Sequence, residues 1–403
     1  MNNSNSTIEI ELAKGVNVSI INLIDELIKE AYNLRASDIH IDPLEDLVRI
    51  RLRIDGILND YYFFPKEIYP EILSRIKIIS NLRIDEHYSA QDGRLRIKVS
   101  EYEIIDIRIS IVPTYYGENV VLRLLYDKAE SFTLETLGFN NNDQQKIIEA
   151  IKKTAGMILV TGPTGSGKTT TLYTLIKMLN NANISIVTIE DPIEYAIEGI
   201  KQIQINSKNG LTFANGLRSI LRQDPNIIMV GEIRDVETAS ISINTALTGH
   251  LILSTLHTND SATTLPRLLD MKVEAFLVAS TVNLVIGQRL VRKICENCKI
   301  NKNLSKEEQE RIKLIFSQQI IHKLYHGQGC ESCNNTGYRG RIVISEILVI
   351  DENIRSAILR KVSASEIAKL ATKNGMRTML EDGYDKAVMG LTTIDEVLRV
   401  AYD

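Results

Sequence analysis

The stretches whose residue types and spacing do chemistry are "GPTGSGKTT" at positions 162–170 and the doubled pair "CENC" and "CESC". The first fits the phosphate-binding pattern G-x-x-x-x-G-K-[ST], with the apolar "MILV" running in and a helical pattern, "TTLYTLIKML", running out. Gly162, Pro163, Thr164, Gly165, Ser166 and Gly167 supply a backbone that curls its amides around a β-phosphate. Lys168 neutralises the β- and γ-phosphates, and Thr169, followed by Thr170, offers a hydroxyl to Mg²⁺. Cys295, Cys298, Cys330 and Cys333 are all the cysteines of the chain, with 31 residues between the two pairs. Two residues between thiolates let a knuckle reach one ion, so the four read as a tetrahedral Zn²⁺ site. His322 and His326, one helical turn apart in "HKLYH", are alternative ligands that four thiolates make unnecessary.

Ligands of open α/β sheets sit outside the carboxyl ends of the strands, so the residue ending each apolar run is the next candidate. "ISIVTIED" ends in Glu190 and Asp191, with Glu194 beyond; "IIMVGEIRD" carries Glu232; "LILSTLH" ends in His257. Glu232 or Glu190 would position Mg²⁺ and the attacking water, and the spacing does not choose between them. Gly231 stands where many phosphate-loop ATPases carry an aspartate, which implies a metal shell built from Thr169, phosphate oxygens and waters. His250 and His257 are seven residues apart, roughly 23 Å along one strand, too far to share a metal or a substrate atom. His257 falls on the γ-phosphate side and His250 at the amino end, as a structural or interface residue.

The elements that must hold these groups are legible in outline. From residue 18 to 36 apolar side chains recur at helical spacing. "DLVRIRLRIDG", "DGRLRIKVSEYEIIDIRISIV" and "ENVVLRLL" then alternate apolar with charged, as half-buried strands do. After Gly156 the runs become short and continuously apolar, the texture of a parallel sheet covered on both faces. Beyond Leu265 the chain reads as helical up to the cysteines. Ser363 with Glu366, Thr378 with Glu381 and Thr393 with Glu396 then mark helix starts near the C-terminus. The expected division is residues 1–35 as an amphipathic segment, 36–130 as a small α+β domain, 131–290 as the nucleotide domain, 291–345 as the zinc subdomain and 346–403 as a helical bundle.

Composition narrows the classes. A chain of 403 residues with 44% hydrophobic and 24% charged residues is a folded, multi-domain protein. No apolar run reaches the roughly 18 residues of a membrane helix, and "MNNSNSTIEIEL" lacks the features of a signal peptide. The expected location is therefore cytoplasmic, with peripheral membrane contact only. A net charge of −4, no tryptophan and seven phenylalanines argue against a nucleic-acid translocase, although "QRLVRKICENCK" is locally basic.

These residues resemble the secretion and pilus-assembly ATPases of the type II secretion and type IV pilus extension class. "ASDIHIDP" and "VRIRLRIDG" are similar to the opening of that family's second N-terminal domain. "GPTGSGKTTTLY" resembles its Walker A motif, "TIEDPIEY" its aspartate box, "IIMVGEIRD" its Walker B motif and "TGHLILSTLHTND" its histidine box. "FLVASTVNLVIGQRLVRKIC", the cysteine knuckles, "GYRGRIVISEIL" and "DGYDKAVMGLTTIDEVLRVA" extend the likeness over nearly the whole chain. The resemblance implies a RecA-like α/β core and Mg²⁺-dependent ATP hydrolysis. It also implies a homo-hexamer in which the small domain packs on a nucleotide domain and arginines reach the phosphates. Matched by motif, these are Arg108, Arg123, Arg218 and Arg222. It further implies platform and docking proteins at the inner membrane as partners. The usual first N-terminal domain is not among the matched segments, so docking would fall to the amphipathic segment or another surface. Retraction-type pilus ATPases share the core but lack the four-cysteine insert, which ranks them lower.

Overall fold

The computed structural model describes residues 7–101, 103–125, 132–316 and 323–401. His322 and the expected boundary at 130/131 lie outside the described residues. The chain forms two compact units, residues 1–129 and 130–403.

The first unit is a six-stranded antiparallel sheet made of β1 (Ala36–Pro43), β2 (Leu47–Ile54), β3 (Ile57–Pro65), β4 (Gln91–Lys98), β5 (Ile104–Thr114) and β6 (Gly117–Leu125), in the order β3-β2-β1-β6-β5-β4. Alternation dictates its two faces. Val48, Ile50 and Leu52, Ile105 to Ile111 at every second residue, and Val120, Leu122 and Leu124 point inward and are buried, each worth about 1.5–3 kcal/mol of transfer free energy. The helix Ile20–Asn33 lays Leu23, Ile24, Leu27, Ile28 and Ala31 into this same core, beside Ile72 and Ile76 of Tyr69–Ile79. The amphipathic face considered for docking is thus covered by the chain's own sheet.

The polar face carries a row across five strands. Arg53 is in register with Asp38, Asp38 with Arg123, Arg123 with Arg108, and Arg108 with Arg94. Register partners share a face, so four guanidinium groups and one carboxylate line up. Arg123 Nε lies 2.9 Å from Asp38 Oδ1 and Arg53 Nε 3.4 Å from Oδ2.

The second unit is a seven-stranded sheet, with β7 (Gly156–Thr161), β8 (Ile186–Glu190), β9 (Lys201–Gln204), β10 (Ile227–Val230), β11 (Leu251–Leu256), β12 (Val282–Ile294) and, after a separate two-stranded ribbon of β13 (Lys299–Asn303) and β14 (Lys323–Gly327), β15 (Tyr338–Val349). The order is β15-β12-β7-β11-β10-β8-β9, parallel throughout except for antiparallel β12 and β15. Every residue of β7, β8, β10 and β11 is buried, as a sheet covered on both faces requires.

One difference from the expected elements matters. The segment "VNLVIGQRLVRKI", expected to be helical, is the 13-residue strand β12, entered directly from the helix Ala275–Thr281. Eight successive buried residues remove the alternation that marks a strand, and a continuous apolar run does not distinguish a buried strand from a buried helix. The cysteine excursion therefore leaves and rejoins the central sheet through β12 and β15.

The C-terminal helices Glu352–Leu359, Ala364–Lys373, Met379–Val388 and Ile394–Ala401 begin at side-chain caps at Asp351, Ser363, Thr378 and Thr393. Thr378 and Glu381 form the full reciprocal box. At Thr393 the carboxylate of Glu396 turns away instead and accepts from Arg292 N at 3.0 Å and Arg292 Nη2 at 2.7 Å, and from Arg399 Nε and Nη2 at 3.0 and 2.9 Å. Burial pushes this carboxyl up, but the two guanidinium groups outweigh it and hold it at about 2, below its ordinary 4.5. A depressed carboxyl stabilises the fold above 4.5 and loses that contribution as pH falls through 2, here about 3 kcal/mol. Glu396→Gln is expected to lower urea stability at pH 6, and the gap to wild type to narrow by pH 3; a constant gap would contradict this assignment.

Candidate nucleotide site and cysteine cage

β7 ends at Thr161 and the helix Lys168–Leu179 begins seven residues later, so residues 162–167 must turn back sharply. Gly162 has φ +147° and Gly167 has φ +87°, and a Cβ at Gly162 would come within 2.3 Å of the Gln288 carbonyl oxygen. The Lys168 ammonium folds over this loop, donating to the Gly162 and Pro163 carbonyls at 2.8 and 2.9 Å. Burial pulls it down to about 8, against the pull of the Glu232 carboxylate, which raises it. A bound polyphosphate would favour the charged form of this lysine, as any close anion does.

Glu232 is placed by its neighbours in sequence. Thr255 of β11 donates its hydroxyl to the Gly231 carbonyl at 2.8 Å and accepts the Ile233 N–H on its own carbonyl at 3.0 Å. These bonds bracket Glu232 just beyond β10. Its Oε2 meets Arg234 Nε at 2.7 Å and His257 Nε2 at 3.3 Å. A Cβ at Gly231 would sit 3.2 Å from the Ile189 carbonyl and 3.4 Å from Glu190 Cα, so the close approach of β10 to β8 leaves little room for a side chain at this position. The turn after His257 is tied to the loop's entry strand: Thr258 N donates to Thr161 Oγ1 at 3.1 Å, and Ser261 donates its N–H and hydroxyl to Glu346 Oε1, both at 2.7 Å.

Glu190 has a different setting. It is 2% exposed, and its two oxygens accept from the Tyr173 hydroxyl, from Thr188 Oγ1 at 2.5 Å and from Gln202 Nε2 at 3.3 Å. Burial and the adjacent carboxylate push the Tyr173 phenol up, which keeps it a donor. Tyr173 lies on the phosphate-loop helix, so this network locks that helix to the end of β8. It was not legible in the sequence, where nothing marks a mid-helix tyrosine as a carboxylate partner.

Of the four arginines, Arg218 and Arg222 make their hydrogen bonds with nearby groups. The Arg218 guanidinium bonds Glu237 at 2.6 Å and Asn215, and Arg222 bonds the Arg218 carbonyl at 3.1 Å and Ser219 Oγ at 3.2 Å. The helix Phe213–Ile220 ends between them and passes into a 3-10 turn. Arg108 and Arg123 belong to the row on the first unit. His250 sits before β11, its Nδ1 3.2 Å from the Thr245 carbonyl at the end of Val236–Leu247, and its own carbonyl accepts the Gly156 N–H.

The four cysteine sulfurs lie within 4.8 Å of one another, with Cys295 and Cys330, and Cys298 and Cys333, each 3.8 Å apart. The Cys330 and Gly337 N–H groups point at Cys333 Sγ at 3.3 Å. Sulfurs at about 2.3 Å from a common centre stand about 3.8 Å apart in a tetrahedron, so the donor set and its spacing fit Zn²⁺. Four thiolates leave no open position for a reacting group.

Among the described residues no helix is long and apolar enough to cross a membrane. The family described as "Type II/IV secretion system protein" matches residues 14–399. "Type II secretion system protein E" of Xanthomonas campestris is 47% identical over 402 residues, covering 99% of this chain and 71% of that protein. "Type IV pilus assembly ATPase PilB" of Thermus thermophilus is 46% identical over 375 residues, 93% of this chain but 42% of that longer protein. Among solved structures, the pilus retraction motor PilT with bound ADP superposes with a TM-score of 0.64 at 26% identity, over 94% of this chain and 97% of the other. With the loop, the bracketed carboxylate and the cysteine cage on one α/β core, the chain belongs to the type II/IV secretion system protein family.

Proposed function

We propose that this chain is the motor of a pilus-assembly or type II secretion machine, working as a homo-hexameric ring at the inner face of the membrane beside platform and docking proteins. It is an ATP-hydrolysing enzyme of the secretion and pilus-extension class, whose relatives carry those names. The single observation that carries the reading is Glu232, bracketed by Thr255, touching His257 and near enough for its charge to act on the Lys168 ammonium of the phosphate loop.

In this reading the amides of residues 162–170 cradle the β-phosphate and Lys168 leaves the Gly162 and Pro163 carbonyls for the β- and γ-oxygens. Thr169, half-buried at the first turn of the helix, would hold Mg²⁺ with phosphate oxygens; the ion supplies charge neutralisation across the β- and γ-phosphates. Glu232 orients a water for in-line attack and accepts its proton, and His257 beside it contacts the γ-phosphate. Glu190, with both oxygens already accepting hydrogen bonds, fixes the helix and the β8 end in place. Arg123 and Arg108 supply charge to the transferring phosphoryl group from the first unit, and the Asp38 contact keeps Arg123 on the open face until then. Cys295, Cys298, Cys330 and Cys333 would hold Zn²⁺ as a staple between β12 and β15. Residues 36–130 act as the moving small domain with the amphipathic segment 1–35, 131–290 as the engine, 291–345 as the zinc subdomain and 346–403 as its helical backing.

The test is turnover against oligomeric state. ATPase activity per subunit should rise steeply with ring formation, and adding Arg123→Ala subunits to wild type should depress it at least in proportion to their share, since each site that faces a mutant neighbour loses about 10³-fold or more. Full, unstimulated turnover by a monomer would overturn the ring reading.

A further inference from the structure

Gln288 lies on β12, in a segment to which the sequence assigned no chemistry, and it is fully buried against the phosphate loop. Its Nε2 donates to the Ser166 carbonyl at 2.8 Å, and its Oε1 accepts from Thr171 Oγ1 at 2.8 Å on the helix that follows. The Ser166 carbonyl can only accept, so it fixes which end of the amide is NH₂ and leaves Oε1 to the Thr171 hydroxyl. The Ser166 hydroxyl is buried with no hydrogen-bond partner among the described residues, so the side chain of residue 166 does not itself hold the loop.

The consequence follows from peptide geometry. The bond between Ser166 and Gly167 is trans, so its C=O and N–H lie in one plane and point in opposite directions. A carbonyl held outward on Gln288 turns the Gly167 N–H inward, toward the hollow where a phosphate would sit. Gly167 is the residue most able to lose this orientation, because a glycine flanking the peptide leaves it free to rotate. Its Cα also approaches Gln288 closely: a Cβ there would lie 3.3 Å from Nε2.

We propose that Gln288 is a positioning residue for nucleotide binding, setting the Ser166–Gly167 peptide so that its N–H is presented to the phosphate before ligand arrives. This rests on the phosphate-loop reading. The residue touches no phosphate itself; it acts through the loop, and its effect belongs to ground-state affinity for any nucleotide with a β-phosphate, not to the hydrolytic step.

The experiment measures binding of fluorescent ADP and of a non-hydrolysable ATP analogue, with steady-state ATPase kinetics alongside. Gln288→Met keeps the volume and removes both hydrogen bonds. Its dissociation constants are expected to rise about tenfold, by the same factor for both nucleotides, with KM rising and kcat largely retained. Gln288→Glu separates positioning from packing. A neutral buried carboxyl donates to the Ser166 carbonyl as the amide does, and an ionised one repels it, so affinity relative to wild type should fall as pH is raised from about 6 to 9. If Gln288→Met does not fold, this pH profile decides. Binding by Gln288→Met within twofold of wild type, a loss confined to the ATP analogue, or a flat Gln288→Glu profile would overturn the proposal. Lys168→Ala is the control: if it binds ADP as tightly as wild type, the phosphate-loop reading itself has failed and not the role of Gln288.

Discussion

Glu232→Gln is expected to bind ATP within a few-fold of wild type and to hydrolyse it about 10²–10⁴-fold more slowly. The amide keeps the shape and can still accept from Arg234 and His257, but it no longer takes a proton from water, and general-base assistance is worth about that factor. Glu190→Gln is expected to behave differently. Its oxygens accept from Tyr173, Thr188 and Gln202 in a site that is 2% exposed, so an amide there places an NH₂ against a donor hydroxyl. An unsatisfied buried group costs about 1–3 kcal/mol, and the lesion should appear as a lower melting temperature and weaker nucleotide binding together. Were Glu190 the base, the Glu190 variant would fold and bind normally while losing turnover, and Glu232→Gln would be nearly silent. Measuring binding, melting and turnover on both variants separates the two carboxylates that spacing alone left equivalent.

Metal removal has the second large effect. The native protein should carry one zinc per chain by elemental analysis, and Cys298→Ser with Cys330→Ser should carry none. The cage lies at the root of an excursion that is otherwise held by the β13–β14 ribbon and a small cluster of Ile312, Phe316 and Leu324 against Tyr384, Ala387, Ile394 and Val397. The chain packs tightly at its neck, where a Cβ on Gly327 would sit 2.1 Å from the Gly337 carbonyl. Structural zinc sites contribute on the order of 10 kcal/mol to the segments that bind them, so chelation should expose residues 295–340 to protease before the rest of the second unit. Because β12 and β15 continue from the cage into the central sheet, a fall in the melting temperature of the second unit should follow. A zinc-free protein with unchanged proteolysis and melting would show that the thiols do not need a metal to hold this fold.

What could be read in advance divides along physical lines. The phosphate loop was legible because its backbone path demands glycines at set spacing, and the cage because two thiolates of a knuckle must converge. The ends of β8, β10 and β11 were legible because a parallel sheet places its ligands there, and His257 beside Glu232 follows from that rule. β12 was not, because full burial on both faces erases the period of two, and with it went Gln288. The Tyr173–Glu190 bond and the grip of Glu346 on Ser261 join residues 17 and 85 positions apart, and no local pattern announces such pairs. The local partners of Arg218 and Arg222 were not legible, because the helix that carries Arg218 tightens into a 3-10 turn at Arg222. The row of Arg53, Asp38, Arg123, Arg108 and Arg94 needed the strand register, which sequence alternation does not fix between strands distant in the chain.

The central claim is that ATP is hydrolysed at the loop of residues 162–170 with Glu232 as the group that handles the water. Phosphate release from Mg-ATP, followed in parallel for wild type, Lys168→Ala and Glu232→Gln of matched melting behaviour, tests it most directly. The account predicts turnover by wild type, and background rates for both variants, with ATP still bound by Glu232→Gln and lost by Lys168→Ala. Folded Lys168→Ala and Glu232→Gln proteins releasing phosphate as fast as wild type would contradict it.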